Sequence, residues 1–336
     1  MTKRYNVAVV GATGAVGQKM IETLERRNFP IDKLKLLASS KSVGKTLTYK
    51  EKLVVVEELT ERSFEGIDIA LFSAGGSISK KFAPYAVKSG AVVIDNTSHF
   101  RMKEDVPLVV PEVNPEDIFK HKGIIANPNC STIQMVLSLK PVLDNYGLNR
   151  VVVSTYQAVS GTGKKAIEEL KDQTSAFLKK ENYSPRVYNH PISFNVIPQI
   201  DSFEDNGFTK EEMKMINETK KIMHDNNIEV NATCVRIPVF VGHSESVYIE
   251  TEKEINENDL RALWNSFDGL KVIDDPKEQM YPMPRNSEGV FDTTVGRLRK
   301  DIYKENAASY WVVSDNLLKG AALNAVQIAE NLITRF

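Results

Sequence analysis

Two cysteines in 336 residues are too few for a disulfide framework, and they stand far apart, at positions 130 and 234. That scarcity suits a reducing cytoplasm, where a thiol either packs or reacts. An excess of either charge is also lacking: 43 Lys and Arg face 44 Asp and Glu, for a net charge of −1. A balance this even carries no electrostatic footprint for nucleic acid or an anionic membrane, and neither is expected as a partner. No apolar run approaches the roughly 18 residues of a membrane span. Met1-Thr2-Lys3-Arg4 runs directly into a strand-like stretch, leaving no room for a signal peptide. The five histidines are scattered and no Cys-x-x-Cys or His-Glu-x-x-His spacing occurs, so no metal is expected. Internal repeats and low-complexity tracts are missing too.

What remains is the composition of an ordinary globular chain, 42% hydrophobic and 26% charged. The chain is long enough for two domains of about 100 to 200 residues each. Residues 5–10 read as a buried parallel strand, since Val7 to Val10 run without a polar break. Gly11-Ala12-Thr13-Gly14-Ala15-Val16-Gly17 follows, and then a helical pattern with Val16, Met20, Ile21 and Leu24 on one side. A glycine turn between strand and helix lets backbone N–H groups approach a pyrophosphate, and the helix N-terminus stabilises its charge. The spacing is Gly-x-x-Gly-x-x-Gly, yet the context is that of dinucleotide binding, with Gly11, Thr13, Gly14, Ala15 and Val16 as candidate contacts. A second strand, 34–38, ends where an NAD enzyme usually places an acid for the ribose hydroxyls. Here the chain reads Ser39-Ser40-Lys41. Hydroxyls and an ammonium suit a 2′-phosphate, so NADP is the expected cofactor.

Further strands are predicted at 53–56, 67–73, 91–95 and 123–126, with a helix over 80–89. The alternation predicts a Rossmann-type doubly wound parallel sheet, whose ligands bind beyond the C-terminal strand ends. Ser73 and Gly75 sit at one such end, and Asp95-Asn96-Thr97-Ser98 at another. Beyond residue 148 the pattern becomes that of an α+β domain with a mixed sheet. A strand spans 151–156, a Ser160-Gly161-Thr162-Gly163 turn follows, and helices cover 165–178, 211–227 and 257–268. Gly163-Lys164 is no phosphate loop, because Lys165 replaces the required Ser or Thr and Ala158 the first Gly. A strand pair is expected over 230–251, with more strands near 293–298 and 309–313. An amphipathic helix over 317–333 is expected to return to the first domain. The expected division is therefore 1–128, completed by 315–336, for the nucleotide and 129–314 for catalysis and dimerisation.

Asn127-Pro128-Asn129-Cys130-Ser131-Thr132 stands just after the last strand of the first sheet, ahead of Ile133, Val136 and Leu137 at helical spacing. A thiol in the first turn of a helix faces unpaired N–H groups and the positive end of the helix dipole. Both favour thiolate, which makes Cys130 a candidate nucleophile. A small residue packed at a helix start would read the same way. Arg236-Ile-Pro238-Val-Phe-Val-Gly242-His243-Ser244 is the second stretch with chemical potential. On a straight strand Arg236 and His243 face opposite sides, but Pro238 and Gly242 invite a bend that brings both to one cleft. Arg binds carboxylate bidentately, and His carries protons near neutrality.

These segments, in order with Phe100-Arg101-Met102, Gln157-Ala-Val-Ser-Gly161 and Asn195-Val-Ile-Pro-Gln199, resemble the aspartate-semialdehyde dehydrogenase family over nearly the whole chain. The resemblance implies an oxidoreductase that reduces L-4-aspartyl phosphate to aspartate semialdehyde with NADPH, releasing inorganic phosphate, on the route to lysine, threonine and methionine. It implies Cys130 as nucleophile through a thioester and His243 as acid/base that shuttles a proton as the thiohemiacetal collapses. It implies Arg236 at the substrate carboxylate, Arg101 at the phosphate, Gln157 orienting the acyl group, and Asn129, Glu218 and Lys221 as further substrate contacts. Ser160 and Gly161 are implied at the cofactor and Asn316 near its nicotinamide, with a homodimer as the assembly. His99 departs from the family, where a small residue commonly precedes Phe-Arg-Met.

Overall fold

The structure is a computed structural model that describes residues 3–334. The outermost residues of the expected nucleotide domain, 1–2 and 335–336, lie outside the described residues. Two compact units are present, Met1–Asn129 with Ala321–Phe336 and Cys130–Gly320.

In the first unit, β1 (Tyr5–Val10) leads through the glycine turn into α1 (Ala15–Arg26) and then β2 (Ile31–Ala38). β3 (Thr46–Tyr49), β4 (Lys52–Glu58), β5 (Ile69–Phe72), α2 (Gly76–Lys88), β6 (Val92–Asp95) and β7 (Ile124–Ala126) follow. The strand order is β3-β4-β2-β1-β5-β6-β7. All neighbours are parallel except β3 and β4, which form an antiparallel edge hairpin. β1 lies at the centre, with Val7 to Val10 wholly buried, as its unbroken apolar run requires. The C-terminal helix Leu323–Ile333 sets Val326, Ile328, Ala329 and Leu332 in the same core as Met20, Leu24 and Leu36.

The order of strands reverses at β1, where β2 and β5 flank it, and the glycine turn lies at that switch point. Gly11 has φ +85°, and a Cβ there would lie 2.4 Å from the Ser73 carbonyl oxygen. At Gly17 a Cβ would lie 2.2 Å from the Gly11 carbonyl oxygen, so α1 rests directly on the turn. Backbone atoms cannot swing aside as a side chain would. Gly17→Ala is therefore expected to cost about 1–3 kcal/mol of stability and to weaken nucleotide binding. A thermal melt and a titration with NADPH check both effects.

The second unit begins with α3 (Cys130–Tyr146), β8 (Arg150–Gln157), α4 (Lys164–Lys179) and α5 (Lys210–Met223). It continues through β9 (Glu229–Arg236), β10 (His243–Glu250), α6 (Glu257–Ser266), β11 (Leu270–Val272), β12 (Thr293–Lys300) and β13 (Ala307–Ser314). Its six strands are ordered β11-β12-β13-β10-β8-β9 and are mixed, with β8 parallel to β9 and antiparallel to β10. Along β8, Val151, Val153, Thr155 and Gln157 are buried while Arg150 and Val152 are exposed, the alternation of a sheet covered on one face. α3 packs on the covered face against β10, β12 and β13 and is itself flanked by α5 and α6. Enclosed this way, it is buried from Ser131 through Leu139 on every side.

The expected single helix over 317–333 is interrupted. Leu318–Ala322 is a π-helical turn, and α-helical geometry starts only at Leu323. Such turns cluster at functional sites. Here Gly320 lies against the first residue of α3: a Cβ on it would come within 2.8 Å of the Cys130 Cβ. The segment 315–320 thus stays with the second unit, beyond the expected boundary at 314/315.

Candidate active site

One end of the second unit's sheet gathers the polar side chains. β9 ends at Arg236 directly beside Gln157, the last residue of β8, in parallel register. β10 starts at His243 and runs antiparallel, so its first residue lies at that same end, paired with Ser314 of β13. The chain between β9 and β10 turns through Pro238 and Gly242. Gly242 has φ +96°, and any Cβ there would meet the Pro284 carbonyl at 2.7 Å. Two residues seven apart, which one strand would aim to opposite faces, are brought together because they stand on two strands flanking β8.

The backbone of Ala158, through the peptide groups on either side of its Cα, holds both of these side chains. Its N–H donates to Nδ1 of His243 at 3.0 Å, and its carbonyl accepts from Nη1 of Arg236 at 2.6 Å. Both side chains are buried, and among the described residues Nε2 of His243 and Nε of Arg236 have no hydrogen-bond partner. They close over Gly161, where a Cβ would lie 3.0 Å from Nη1 of Arg236 and 3.3 Å from Nε2 of His243. Burial first, then the Arg236 charge, hold the His243 imidazole well below its ordinary range, so the ring is neutral. Asn316 ties the neighbouring turn: its Oδ1 accepts from the Gly242 N–H at 2.9 Å, and its Nδ2 donates to the Ser160 hydroxyl at 2.9 Å.

A cavity of about 240 Å³ opens beside Arg236, lined also by Tyr188, Asn189, His190, Gln199 and Asp201. The irregular segment that forms its wall is pinned by α4. The buried Glu169 carboxylate accepts from the Arg186 and Val187 N–H groups at 2.9 and 2.6 Å. Oε1 of Gln173 accepts from Ile192 and Ser193 at 2.7 and 3.0 Å. Four backbone N–H groups of a stretch without helix or strand are thereby tied to α4.

The resemblance implies Glu218 and Lys221 as substrate contacts, while the acid bonded to Gln157 is Glu211, with Lys214 beside it. Nε2 of Gln157 donates to Glu211 at 3.3 Å, and Lys214 bridges Glu211 at 3.1 Å and Asp201 at 2.9 Å. Glu218 and Lys221 stand two helical turns farther along α5, Glu218 buried and Lys221 half-buried. The confusion has a physical origin. Glu211-x-x-Lys214 and Glu218-x-x-Lys221 are the same pair seven residues apart, on the same helical face. What separates them is the N-terminus of α5, set by the Thr209–Glu212 capping box, which delivers Glu211 in the first turn.

Cys130 is the first residue of α3 and partly exposed, whereas Cys234 is sealed in the core, its thiol pushed up chiefly by burial. In the first unit, Arg101 is buried and donates to the carbonyls of Asn127 and Asn96, each at 2.9 Å. Asn129 is buried as the last residue of that unit's first segment. The His99 ring turns edge-on to Phe100, with centroids 4.6 Å apart. Gly14 and Gly75 precede α1 and α2 with no side-chain cap, so first-turn N–H groups at both helices are open to an anion. Thr13 bonds Ser42 at 3.3 Å, Ala15 and Val16 form the first turn of α1, and Ser73 closes the turn at Gly11. Ser39 and Ser40 are exposed at the end of β2. Side chains at 11 and 17 would clash with the Ser73 and Gly11 carbonyls, so the tight backbone turn ahead of α1, the kind of turn that receives a dinucleotide pyrophosphate, depends on both glycines. Ser160, Gly161 and Asn316 belong to the second unit. No helix among the described residues is long and apolar enough to cross a membrane.

Known proteins match along the whole chain. Residues 6–121 match the family model described as semialdehyde dehydrogenase, NAD binding domain, and residues 139–319 the one described as semialdehyde dehydrogenase, dimerisation domain. An aspartate-semialdehyde dehydrogenase of Bacillus subtilis is 57% identical over 99% of the chain and 98% of the relative. One of Aquifex aeolicus is 60% identical over 98% of each. Among solved structures, aspartate semialdehyde dehydrogenase II of Vibrio cholerae complexed with ASA superposes with TM-score 0.97 at 49% identity, covering 100% of both chains. The Candida albicans aspartate semialdehyde dehydrogenase with NADP gives 0.76 at 26% identity, over 98% of this chain and 99% of the other.

Proposed function

The chain belongs to the aspartate-semialdehyde dehydrogenase family, and from that premise we propose that it forms a thioester on Cys130 and uses NADPH. The family assignment makes it an oxidoreductase of amino-acid biosynthesis. The observation that carries the proposal is Cys130 itself: a partly exposed thiol opening a buried helix, with Gly320 kept bare beside it. In the biosynthetic direction the Cys130 thiolate attacks the acyl carbon of aspartyl phosphate, the C–O bond to phosphate breaks, and the phosphate leaves with that electron pair. The reduced nicotinamide, when bound, supplies the hydride that takes the thioester to the aldehyde level. Passing through a thioester replaces one difficult reduction by two easier steps.

Arg236 is assigned to the substrate carboxylate, Gln157 to the acyl group, Arg101 to the phosphate and Asn129 to the reacting end of the substrate. Glu211 and Lys214 take the roles that the resemblance gives to Glu218 and Lys221, with Glu211 suited to an ammonium and Lys214 to an anion. A homodimer is supported by the open face of the mixed sheet, where the rings of Tyr156 and Trp311 lie 5.3 Å apart and Val152 is exposed.

The test is mass spectrometry of the protein mixed with aspartate semialdehyde and NADP without phosphate. An aspartyl group retained on Cys130 is expected; no adduct, or one on another residue, would sink the thioester. NADP over NAD follows from Ser39-Ser40-Lys41, which offers hydroxyls and a cation and no carboxylate. Lys41→Glu is expected to lower kcat/KM with NADP by about 10²-fold, by like-charge repulsion, while NAD is little affected. Parallel assays with the two cofactors check it.

A further inference from the structure

We propose that Glu245 is a positioning residue for the nucleophile: from β10 it pairs with Gln134 of α3, one helical turn beyond Cys130, and thereby fixes how the cysteine is presented. The inference rests on the reading of Cys130 as the nucleophile and adds to it a residue that touches no substrate.

Cys130, Gln134 and Ser138 recur every fourth residue and form one stripe along α3. Past Cys130 the stripe is wholly buried, and it is polar among the apolar side chains of Ile133, Met135, Val136, Leu137 and Leu139. Its far end is tied. The Ser138 hydroxyl shares a hydrogen bond with the Tyr310 hydroxyl at 3.0 Å, and the Ser138 carbonyl accepts from Nε1 of Trp264 at 2.9 Å. The middle of the stripe meets Glu245, which stands on β10 between Thr155 of β8 and Val312 of β13 and is wholly buried. No cation acts on its carboxyl. Gln134 is the side chain that does, as a donor, although the two stop short of a closed hydrogen bond. Both carboxyl oxygens of Glu245 and both polar atoms of the Gln134 amide have no other partner among the described residues.

Each group supplies what the other lacks. Burial pushes the Glu245 carboxyl well above its usual range, so it is protonated and uncharged. The neighbouring Cys234 and Tyr310 are kept neutral as well, by burial first. A carboxylic acid offers an O–H and a carbonyl, and an amide offers an N–H and a carbonyl. Set head to head they make two hydrogen bonds and leave none of the four atoms unpaired. An apolar core loses its unique arrangement before it loses stability, whereas a pair of directed bonds admits one arrangement. With Ser138 tied at one point and Gln134 at another, α3 cannot turn about its axis, and Cys130 keeps its place at the helix start.

Kinetics and thiol reactivity test this. Glu245→Leu should lower kcat by about 10²-fold, the cost of a reacting atom displaced by about 1 Å. KM for aspartate semialdehyde should stay within about threefold of wild type. The variant should melt within a few degrees of wild type, because an apolar side chain replaces a buried polar one. Glu245→Gln keeps a donor and an acceptor facing Gln134, so kcat should return to within about threefold of wild type. The rate at which iodoacetamide alkylates Cys130, followed by mass spectrometry, should fall and recover in parallel. Wild-type turnover in Glu245→Leu overturns the proposal, and so does Glu245→Gln as slow as Glu245→Leu. A loss of kcat that merely follows a large drop in melting temperature makes Glu245 a structural brace and overturns it too. If Glu245→Leu does not fold, exchanging the partners decides. Gln134→Glu alone sets two acids together, and adding Glu245→Gln should bring kcat to within about tenfold of wild type; a double variant that stays inactive refutes the contact. Wild-type enzyme that retains no aspartyl group on Cys130 would instead refute the thioester reading, and the alkylation rates are legible either way.

Discussion

Cys130→Ala should abolish turnover, with kcat falling by about 10⁴-fold or more, while NADPH binds as tightly as to the wild type. Nothing else in the chain can replace the sulfur. Cys234 is fully buried on β9, in contact with Met215, and burial opposes its thiolate. On the proposed thioester route, a chain without a nucleophile at 130 offers the acyl group no covalent acceptor and hydride no thioester to reduce. The structural cost is small. Removing one sulfur from a partly exposed helix start leaves the buried run 131–139 and the contact of Gly320 intact, so the melting temperature should move by only a few degrees. NADPH formation from aspartate semialdehyde, phosphate and NADP reports turnover, and fluorescence titration reports binding. Turnover within tenfold of wild type would mean that direct hydride transfer, with no covalent stage, is the reaction.

How much of the molecule is legible in its sequence depends on whether the signal is local. The first sheet is readable because Val7 to Val10 leave no polar break and the glycines come at once; steric contacts at Gly11 and Gly17 then explain why they are glycines. Strand β3 is invisible. Its hairpin turn is Lys50-Glu51, at φ +47° and +62°, a pair that gives none of the usual Asn or Gly warning. The π turn at Leu318–Ala322 hides for another reason: inserting one residue into a helix barely disturbs an apolar pattern this rich in Leu and Ala. The choice between Glu211 and Glu218 requires knowing which turn of α5 meets β8, a fact of packing. And the backbone partner of His243, the Ala158 N–H, lies eighty-five positions away in the sequence. Motifs single out candidate residues; only the fold shows which of them meet and through which atoms.

Arg236 offers the other large effect, and it separates binding from stability. Its guanidinium is 5% exposed and makes no ion pair among the described residues; the Ala158 carbonyl is its partner, and Nε faces none. A buried cation without a counter-charge is expensive, and a fold keeps one when a ligand completes it. The cavity beside it has room for a carboxylate, which would receive two parallel N–H bonds; the one acid in its lining, Asp201, is bonded to Lys214. Arg236→Met should therefore raise KM for aspartate semialdehyde by about 10³-fold, yet melt at or above the wild-type temperature, since an apolar side chain of similar length removes an unpaired charge. Arg236→Lys keeps the charge and loses the fork, so KM should rise by about 10²-fold with kcat changed less. Steady-state kinetics and calorimetry on the two variants read both quantities. If Arg236→Met melted far below wild type while KM held, the guanidinium would be a structural brace for the Ala158 peptide, and the carboxylate would bind elsewhere.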